Sequence, residues 1–209
     1  MLISYKLSSS GSWIRRHVND HFVQLAKKDN YRSRAAYKLI ELDDKFKLLK
    51  NCSHIVELGA APGSWTEITL KRMKRPGKIV TIDLLEMEPV APPPGIQCNM
   101  LVGDFLEQTS VDKVMESLRD ENGELCFVDL VMSDMAPNTS GVQSLDHGRS
   151  MILSEQAYEF SKKVLKKGGH LILKIFQGAE GRVVLGGIKK DAKKEFQDSS
   201  NIQTRSIKE

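Results

Sequence analysis

Short apolar segments of strand length alternate with segments of helical periodicity along most of this chain. The apolar segments read HIVELG, KIVTIDL, NMLVGD, CFVDLVMSD and HLILKIF. Such runs predict buried strands, and helices are predicted between them at 64–74, 111–119 and about 148–167, where two glycines end the last one. Strands that alternate with helices form parallel sheets covered on both faces. The predicted fold class is therefore α/β, with a mostly parallel central sheet and helices on both faces.

Two further helices are predicted before the first strand. The segments SWIRRHVNDHFVQLAKK and SRAAYKLIELDDKFKLL repeat apolar residues at helical spacing, and Ile14, Val18, Phe22 and Leu25 share one face of the first. A chain of 209 residues without repeats or a clear linker predicts one domain. Within 1–209 we distinguish basic N-terminal helices (1–50), a core (51–178) and a divergent C-terminal segment (179–209).

Charge is distributed unevenly along the chain. Residues 1–50 hold 11 Lys/Arg against 5 Asp/Glu, residues 51–161 hold 8 against 17, and residues 162–194 hold 10 against 2. Basic flanks around an acidic middle favour a polyanion partner, because Lys and Arg neutralise phosphates. Solvated helix faces explain the pattern equally well, so charge alone leaves both interpretations open.

Neither a membrane protein nor a metal site is expected. No apolar run is long enough to span a bilayer. The three cysteines lack C-x-x-C spacing, and HVNDH, with His17 and His21 on one helical face, lacks the glutamate of the zinc-protease pattern. These features favour a reducing cytoplasm and no metal. The Ser-rich start is faintly similar to an organellar presequence, so a bacterial cytosol and an organelle both remain open.

The segment VELGAAPGSW follows the first predicted strand and carries the first candidate binding residues. The small residues Gly59, Ala60 and Gly63 would let the backbone approach a ligand at the start of a helix. The segment does not read G-x-G-x-x-G, and Pro62 removes a donor that a pyrophosphate would use. A dinucleotide is therefore disfavoured.

Acidic residues end the next two strands. Asp83 in TIDLL is placed to accept hydrogen bonds from the two hydroxyls of a ribose, and Asp104 in VGDF could accept one from an adenine amino group. Helix capping explains any one of these acids as well, and for Asp104 the two explanations are evenly balanced. Together the strand ends predict a site for an adenosine-type cofactor.

Asp134 in VMSDMAPNTSG ends a fourth predicted strand, and Lys174 in LILKIF lies inside a fifth. A lysine near the centre of an apolar strand costs free energy unless a carboxylate compensates its charge. Lys38, on the second helix, is unremarkable by itself.

These motifs together resemble the FtsJ/RrmJ family of ribosomal RNA ribose 2′-O-methyltransferases. The resemblance rests on YRSRAAYKL, VELGAAPGSW, TIDLL, VGDF, VMSDMAPNTSG and LKIFQG, in this order from about residue 8 to residue 178. It implies a Rossmann-like methyltransferase fold that binds S-adenosylmethionine. It also implies cofactor contacts from Gly59, Gly63, Trp65, Asp83 and Asp104, and it matches Lys38, Asp134 and Lys174 to three members of a Lys-Asp-Lys-Glu catalytic tetrad.

The chemistry of this reaction sets few demands. A ribose hydroxyl must be placed in line with the sulfonium methyl group and must lose its proton. We expect Lys174 to orient and deprotonate the hydroxyl, with Asp134 and Lys38 setting its geometry, and Asp134 also next to the cofactor. Arg32 and Arg34 are the candidate RNA phosphate contacts. The resemblance narrows the partner to large-subunit ribosomal RNA, with a uridine as the usual target, and we expect a monomer.

The chain departs from the family pattern after LKIFQG. In an ungapped alignment on Asp198 to Ser200, Ser206 takes the position of the tetrad glutamate, and neither Glu195 nor Glu209 can be assigned to it. The segment also lacks the apolar residues of a final strand pair. An RNA-binding or ribosome-assembly factor that retains S-adenosylmethionine binding therefore stays open as an alternative, and a nucleotide-dependent oxidoreductase is a remote one.

Overall fold

The computed structural model describes residues 21–138, 140–175, 186–188 and 190. Within them the helices are α1 (His21–Lys28), α2 (Ala35–Phe46), α3 (Ser64–Arg72), α4 (Gln108–Ser117) and α5 (Gln143–Val164). The strands are β1 (His54–Leu58), β2 (Gly77–Asp83), β3 (Ile96–Val102), β4 (Val128–Ser133) and β5 (Leu165–Leu173). None of the described helices is long and apolar enough to cross a membrane. The predictions for Ile14, Val18 and the segment after residue 178 fall largely outside the described residues.

The five strands form one parallel sheet in the order β3-β2-β1-β4-β5. The register pairs Leu58, the last residue of β1, with Ile82 on one side and Ser133 on the other. Ser133 in turn pairs with Leu173, the last residue of β5. The carboxyl ends of these strands therefore lie level along one edge of the sheet, where open parallel sheets bind ligands.

Apolar side chains cover both faces of the sheet, as predicted. Because successive strand residues point to opposite faces, Ile55 packs with α2 and α3, through Leu39 and Ile68 among others. Val56 packs on the other face, in a core that includes Val111 and Phe160 from α4 and α5. The α/β prediction with helices on both faces is confirmed.

The boundary between the last helix and the last strand differs from prediction. Helix α5 ends at Val164, and Gly168 and Gly169 belong to β5 instead of ending the helix. Gly168 has a φ of +79°, and the pairing of β5 with β4 shifts register between Val128 and Leu130. The glycines thus allow an irregular start to the strand.

The face assignment of the first helix was also wrong at one residue. Phe22, predicted on the apolar face, is 52% exposed, and Ala26 is the buried residue of α1. Phe22 contacts the ring of Tyr37 at 5.6 Å between centroids. Phe22 therefore makes a tilted contact with an aromatic ring on α2.

Glu57 is a buried carboxyl group in the centre of the sheet. It lies in β1, is 1% exposed and accepts a hydrogen bond from the Thr66 hydroxyl at 2.8 Å. Burial raises the pKa of Glu57 to about 8, the Thr66 hydrogen bond opposes this rise, and the nearby Asp134 and Asp83 carboxylates add to it. The folded protein therefore holds a proton on Glu57 at pH values where the unfolded chain has lost it.

We predict that Glu57→Gln removes a pH dependence of stability. The unfolded carboxyl titrates near about 4.3, so the stabilisation from the protonated form is complete below that pH and is lost as pH rises through about 8. Glutamine is neutral throughout and can accept the Thr66 hydrogen bond. Relative to wild type, the variant's free energy of unfolding in urea should therefore rise by up to about 1.4 kcal/mol per pH unit between pH 5 and 7.5. Parallel pH profiles for the two proteins would contradict the raised pKa.

Candidate active site

Backbone hydrogen bonds continue the sheet one residue beyond the strands at its carboxyl edge. They join Gly59 N to Ile82 O at 2.9 Å, Asp134 N to Leu58 O at 3.1 Å, and Lys174 N to Ser133 O at 2.9 Å. Because each donor is the residue after a strand, the sheet itself fixes where these residues stand. Three of the predicted site residues are therefore neighbours along one edge.

Asp134 and Lys174 form an ion pair at this edge. The Lys174 Nζ lies 3.2 Å from Asp134 Oδ1, and the two side chains are 24% and 21% exposed. Lys174 follows β5 and does not lie inside it, so the predicted position near a strand centre was wrong. Partial exposure and the carboxylate together reduce the cost of keeping the ammonium there. The Asp134–Lys174 pair is therefore accessible from solvent at the carboxyl edge of the sheet.

Lys38 lies in a different layer, on the helix that precedes β1. It lies in the first turn of α2, between the buried Ala36 and Leu39, and is itself half-buried. Among the described residues it forms no ion pair with Asp134. The structure thus joins two of the three predicted catalytic residues directly and leaves the third on the adjoining helix.

The loop after β1 touches the chain that follows Asp134. Gly59 has a φ of +78°, which favours glycine, and a Cβ placed there would lie 2.8 Å from the backbone N and Cα of Met135. Only glycine allows this approach. The predicted cofactor loop and the predicted catalytic acid are therefore in contact through their backbones.

The amide groups of this loop are used within the protein. Gly59 N and Ala60 N donate to Ile82 O, Ala61 N donates to Asp83 Oδ2, and Gly63 N donates to Ala60 O. Pro62 has no N–H group. A pyrophosphate would therefore find no available donor between residues 59 and 63, which agrees with the sequence argument against a dinucleotide.

A cavity of about 190 Å³ lies beside this loop at the ends of β2 and β3. It is lined by Asp83, Leu85, Glu86, Met87, Pro89, Met100, Leu101 and Val102. Asp83 also accepts hydrogen bonds from Ala61 N and from Leu85 N, both at 2.9 Å. A carboxylate has about four acceptor positions, so capacity remains for a ligand hydroxyl. Mostly apolar walls with two carboxylates, Asp83 and Glu86, and no cation suit a nucleoside that carries no phosphate.

Two predicted cofactor residues have structural contacts of their own. Asp104 Oδ1 accepts a hydrogen bond from Leu106 N at 2.9 Å, and Asp104 is not part of the cavity lining. Trp65 is 5% exposed, and its indole N–H donates to Ala35 O at 2.8 Å. The structure places the Trp65 side chain in the core beneath the loop. Their cofactor contacts stay predictions.

A second cavity of about 280 Å³ lies at the opposite end of the sheet. It is lined by Leu48, Asn51, Cys52, Arg75, Asp129, Lys166, Gly168 and His170. Asp129 is bonded there to Ser53 N, His54 N and Lys166 Nζ. This cavity is larger, but it contains none of the predicted site residues. The convergence of strand ends, and not volume, identifies the candidate site.

The sequence did not reveal which contacts hold the loop between Asp134 and the start of α5. Asp146, in the first turn of α5, accepts hydrogen bonds from Ser140 N and Ser140 Oγ at 2.7 Å and from Gly141 N at 3.1 Å. Because the Ser140 and Gly141 N–H groups donate to its carboxylate, the pKa of Asp146 lies below its ordinary value. An aspartate at a helix start ordinarily caps that helix, and this one instead closes the loop that follows Asp134.

Arg32 also has contacts that its sequence context did not indicate. Its guanidinium donates to the carbonyl oxygens of Pro62, Glu88 and Pro89, while Arg34 is exposed. The spacing in YRSR showed two cations but not their acceptors. One of the two candidate RNA contacts is therefore turned towards the cofactor loop.

Comparisons with known proteins identify relatives along most of the chain. The FtsJ-like methyltransferase family matches residues 31–206, which includes the divergent C-terminal segment. Proteins named ribosomal RNA large subunit methyltransferase E are similar to it. That of Dechloromonas aromatica is 47% identical over 82% of this chain and 79% of its own. That of Rickettsia akari is 43% identical over 92% and 83%.

A solved structure of a protein described as a ribosomal RNA methyltransferase from Plasmodium falciparum has the same fold. It is 32% identical, covers 80% of this chain and 88% of its own, and superposes with a TM-score of 0.66. Fold and sequence therefore lead to the same family.

We predict that Gly59→Ala disrupts the contact between the cofactor loop and Met135. A positive φ costs an alanine about 1–2 kcal/mol anywhere, so the matched control is Gly123→Ala, with a φ of +80° and no atom within 4 Å of its Cβ. Urea unfolding should show a larger loss for Gly59→Ala than for Gly123→Ala, and only the former should weaken nucleoside cofactor binding. Equal losses in the free energy of unfolding would contradict a rigid contact between Gly59 and Met135.

Proposed function

The chain belongs to the FtsJ-like methyltransferase family, and we propose that it methylates a ribose 2′-hydroxyl of large-subunit ribosomal RNA with S-adenosylmethionine as the donor. The observation that carries the proposal is the Asp134–Lys174 pair, 3.2 Å apart at the strand edge that the cofactor loop also reaches. Relatives at 43–47% identity are named for large-subunit ribosomal RNA methylation, which supports the same substrate class. A uridine is the proposed target nucleoside.

The residues at the edge fit the proposed cofactor. Asp83 would hold the ribose hydroxyls, and the apolar walls formed by Met87, Met100 and Leu101 would surround the adenine. The loop at 59–63 offers no phosphate cradle, and S-adenosylmethionine has no phosphate to place there. When bound, this cofactor supplies a methyl group on a positively charged sulfur.

The reaction needs one proton acceptor at the sugar. We assign that role to Lys174. In its neutral amine form, its Nζ would orient the 2′-hydroxyl and receive its proton, while the methyl carbon would pass from the donor sulfur to the hydroxyl oxygen. Asp134 fixes the position of Nζ through the ion pair. Lys38 would add a second cation from α2, close to the RNA ribose or its phosphate. These are roles of position and charge, which are the main contributions that such a transfer requires.

The RNA would lie across the N-terminal helices and the active edge. The exposed cations of this region are Lys27 and Lys28 in the last turn of α1 and Arg34 immediately before α2. Their charges would neutralise phosphates without reading bases. We also propose that the protein works as a monomer in the cytoplasm. A factor that binds S-adenosylmethionine and RNA without turnover is the second candidate, because Ser206 falls at the aligned position of the family glutamate.

We predict that Lys174→Ala abolishes methyl transfer and spares cofactor binding. Labelled S-adenosylmethionine would be incubated with large ribosomal subunits and with naked ribosomal RNA, followed by mapping of ribose methylation. Loss of the proton acceptor should reduce transfer by at least about 100-fold, with the cofactor dissociation constant unchanged within about twofold. The control is Lys167→Ala, an exposed lysine at the other end of β5.

The results separate the candidate functions. Lysine-dependent incorporation at a ribose supports the enzyme. Cofactor binding without incorporation in the wild type favours the binding factor. Full turnover in Lys174→Ala would remove that residue from the mechanism.

We predict that Arg34→Glu weakens RNA binding and flattens its salt dependence. Loss of one phosphate contact lowers the slope of log affinity against log salt by about one. The matched control is Lys113→Glu, which makes the same charge change at an exposed position on α4, beyond the opposite face of the sheet. Filter binding at several salt concentrations measures both slopes. Equal effects of the two substitutions would show a general response to net charge and not a contact at Arg34.

A further inference from the structure

One guanidinium joins two segments that are far apart in sequence. Arg32 Nη1 donates to Pro62 O at 3.1 Å and to Glu88 O, and Nη2 donates to Pro89 O at 2.9 Å. Pro62 lies in the cofactor loop, and Pro89 lines the cavity beside Asp83. Arg32 therefore holds the wall of this cavity against the loop.

The residues after Arg32 continue the contact towards α3. The Ser33 and Ser64 hydroxyl oxygens lie 2.7 Å apart, and Ala35 O accepts the Trp65 indole N–H at 2.8 Å. Residues 32–35 thus lie along residues 62–65, immediately before the helix turn that carries Lys38. Any shift of the cofactor loop would be passed to that turn.

The Arg32 side chain packs closely against the backbone of Gly63. A Cβ at Gly63 would lie 2.9 Å from Arg32 Nη1 and 3.3 Å from Met87 Sδ. Gly63 has a φ of +97°, so the loop presents its backbone directly to the guanidinium and to the cavity wall. Arg32, Met87 and the cofactor loop therefore meet at Gly63, which has no side chain.

We propose that Arg32 is a positioning residue of the cofactor site. It holds residues 87–89 against the cavity beside Asp83, and it joins α2, the helix that carries Lys38, to the cofactor loop. The proposal rests on the proposed function and assigns Arg32 a different role from an RNA phosphate ligand. Three of its five N–H donors already serve protein carbonyls, and the side chain is half-buried. Arg34, two residues later and exposed, keeps the RNA role.

The choice of arginine follows from the geometry. A planar fork donates in several fixed directions at once, so it can reach carbonyls on two separate segments. A lysine ammonium is a compact point charge that could retain one or two of these contacts. Partial rescue by lysine is therefore a specific consequence of a positioning role.

The test compares Arg32→Ala, Arg32→Lys and Arg34→Ala in the full chain. For each we would measure the dissociation constant of S-adenosylmethionine by calorimetry, the dissociation constant of ribosomal RNA by filter binding, and the Michaelis constants and turnover of methylation. Arg32→Ala should raise the cofactor dissociation constant by at least about tenfold, in line with loss of a charge-assisted hydrogen bond. Arg32→Lys should restore part of it, and RNA affinity should change by less than about twofold. Arg34→Ala should show the opposite pattern.

Hydrogen exchange in the protein without cofactor provides a readout that does not need catalysis. The amides of Ala61 and Leu85 donate to Asp83, and they belong to the two segments that Arg32 joins. Their exchange should be faster in Arg32→Lys than in wild type, while amides in the centre of β4 stay protected. This variant keeps a cation and so guards against a general loss of the fold.

The outcomes separate this inference from the proposed function. Unchanged cofactor affinity in Arg32→Ala, together with weaker RNA binding and a smaller salt slope, would overturn the positioning role. A wild-type protein that binds no S-adenosylmethionine would contradict the proposed function. Faster exchange at Ala61 and Leu85 in Arg32→Lys would still show that Arg32 holds the two segments together. Unchanged exchange would contradict that role of Arg32.

Discussion

The site depends on backbone hydrogen bonds that extend the parallel sheet beyond its strands. Through them Gly59, Asp134 and Lys174 take their places from the register of β1, β4 and β5 and not from loop conformation. A rigid frame of this kind suits a transfer reaction, in which reacting atoms must be held to within fractions of an ångström. The buried residues on both faces of the sheet keep that frame in place, so core packing and site geometry are one constraint.

The elements that the sequence predicted well are those governed by local pattern. Apolar runs located all five described strands, and the chemical character of the residue after each strand located the edge where they meet. What failed depended on contacts distant in sequence. The start of β5 at Leu165 requires pairing with Val128, which periodicity cannot detect. The strand ends at Leu173, so Lys174 follows it although the apolar run LILKIF continues. The acceptors of Arg32 are backbone carbonyls, which every residue carries and no motif marks.

The hydrogen bonds that Asp83 accepts from its own loop are compatible with the ligand role proposed for it. Asp83 receives one amide on each oxygen, from Ala61 and from Leu85, and still has acceptor capacity for a ribose. These bonds fix the carboxylate before a ligand arrives, which lowers the entropy cost of binding. The same reasoning shows why a capping explanation and a functional one could not be separated from sequence. A strand-end aspartate that organises its own loop is for that reason well placed to hold a ligand.

Electrostatics links the buried sheet to the proposed chemistry. Burial is the main cause that raises the pKa of Glu57 to about 8, and the Asp134 and Asp83 carboxylates at the carboxyl edge of the sheet add to the rise. Lys174 offsets part of that negative charge at the position where the hydroxyl proton must go. The proposed cofactor is positively charged at sulfur before transfer and neutral there afterwards. Acidic groups at this edge would therefore bind the proposed donor more strongly than its neutral product, which would favour release of the product after transfer.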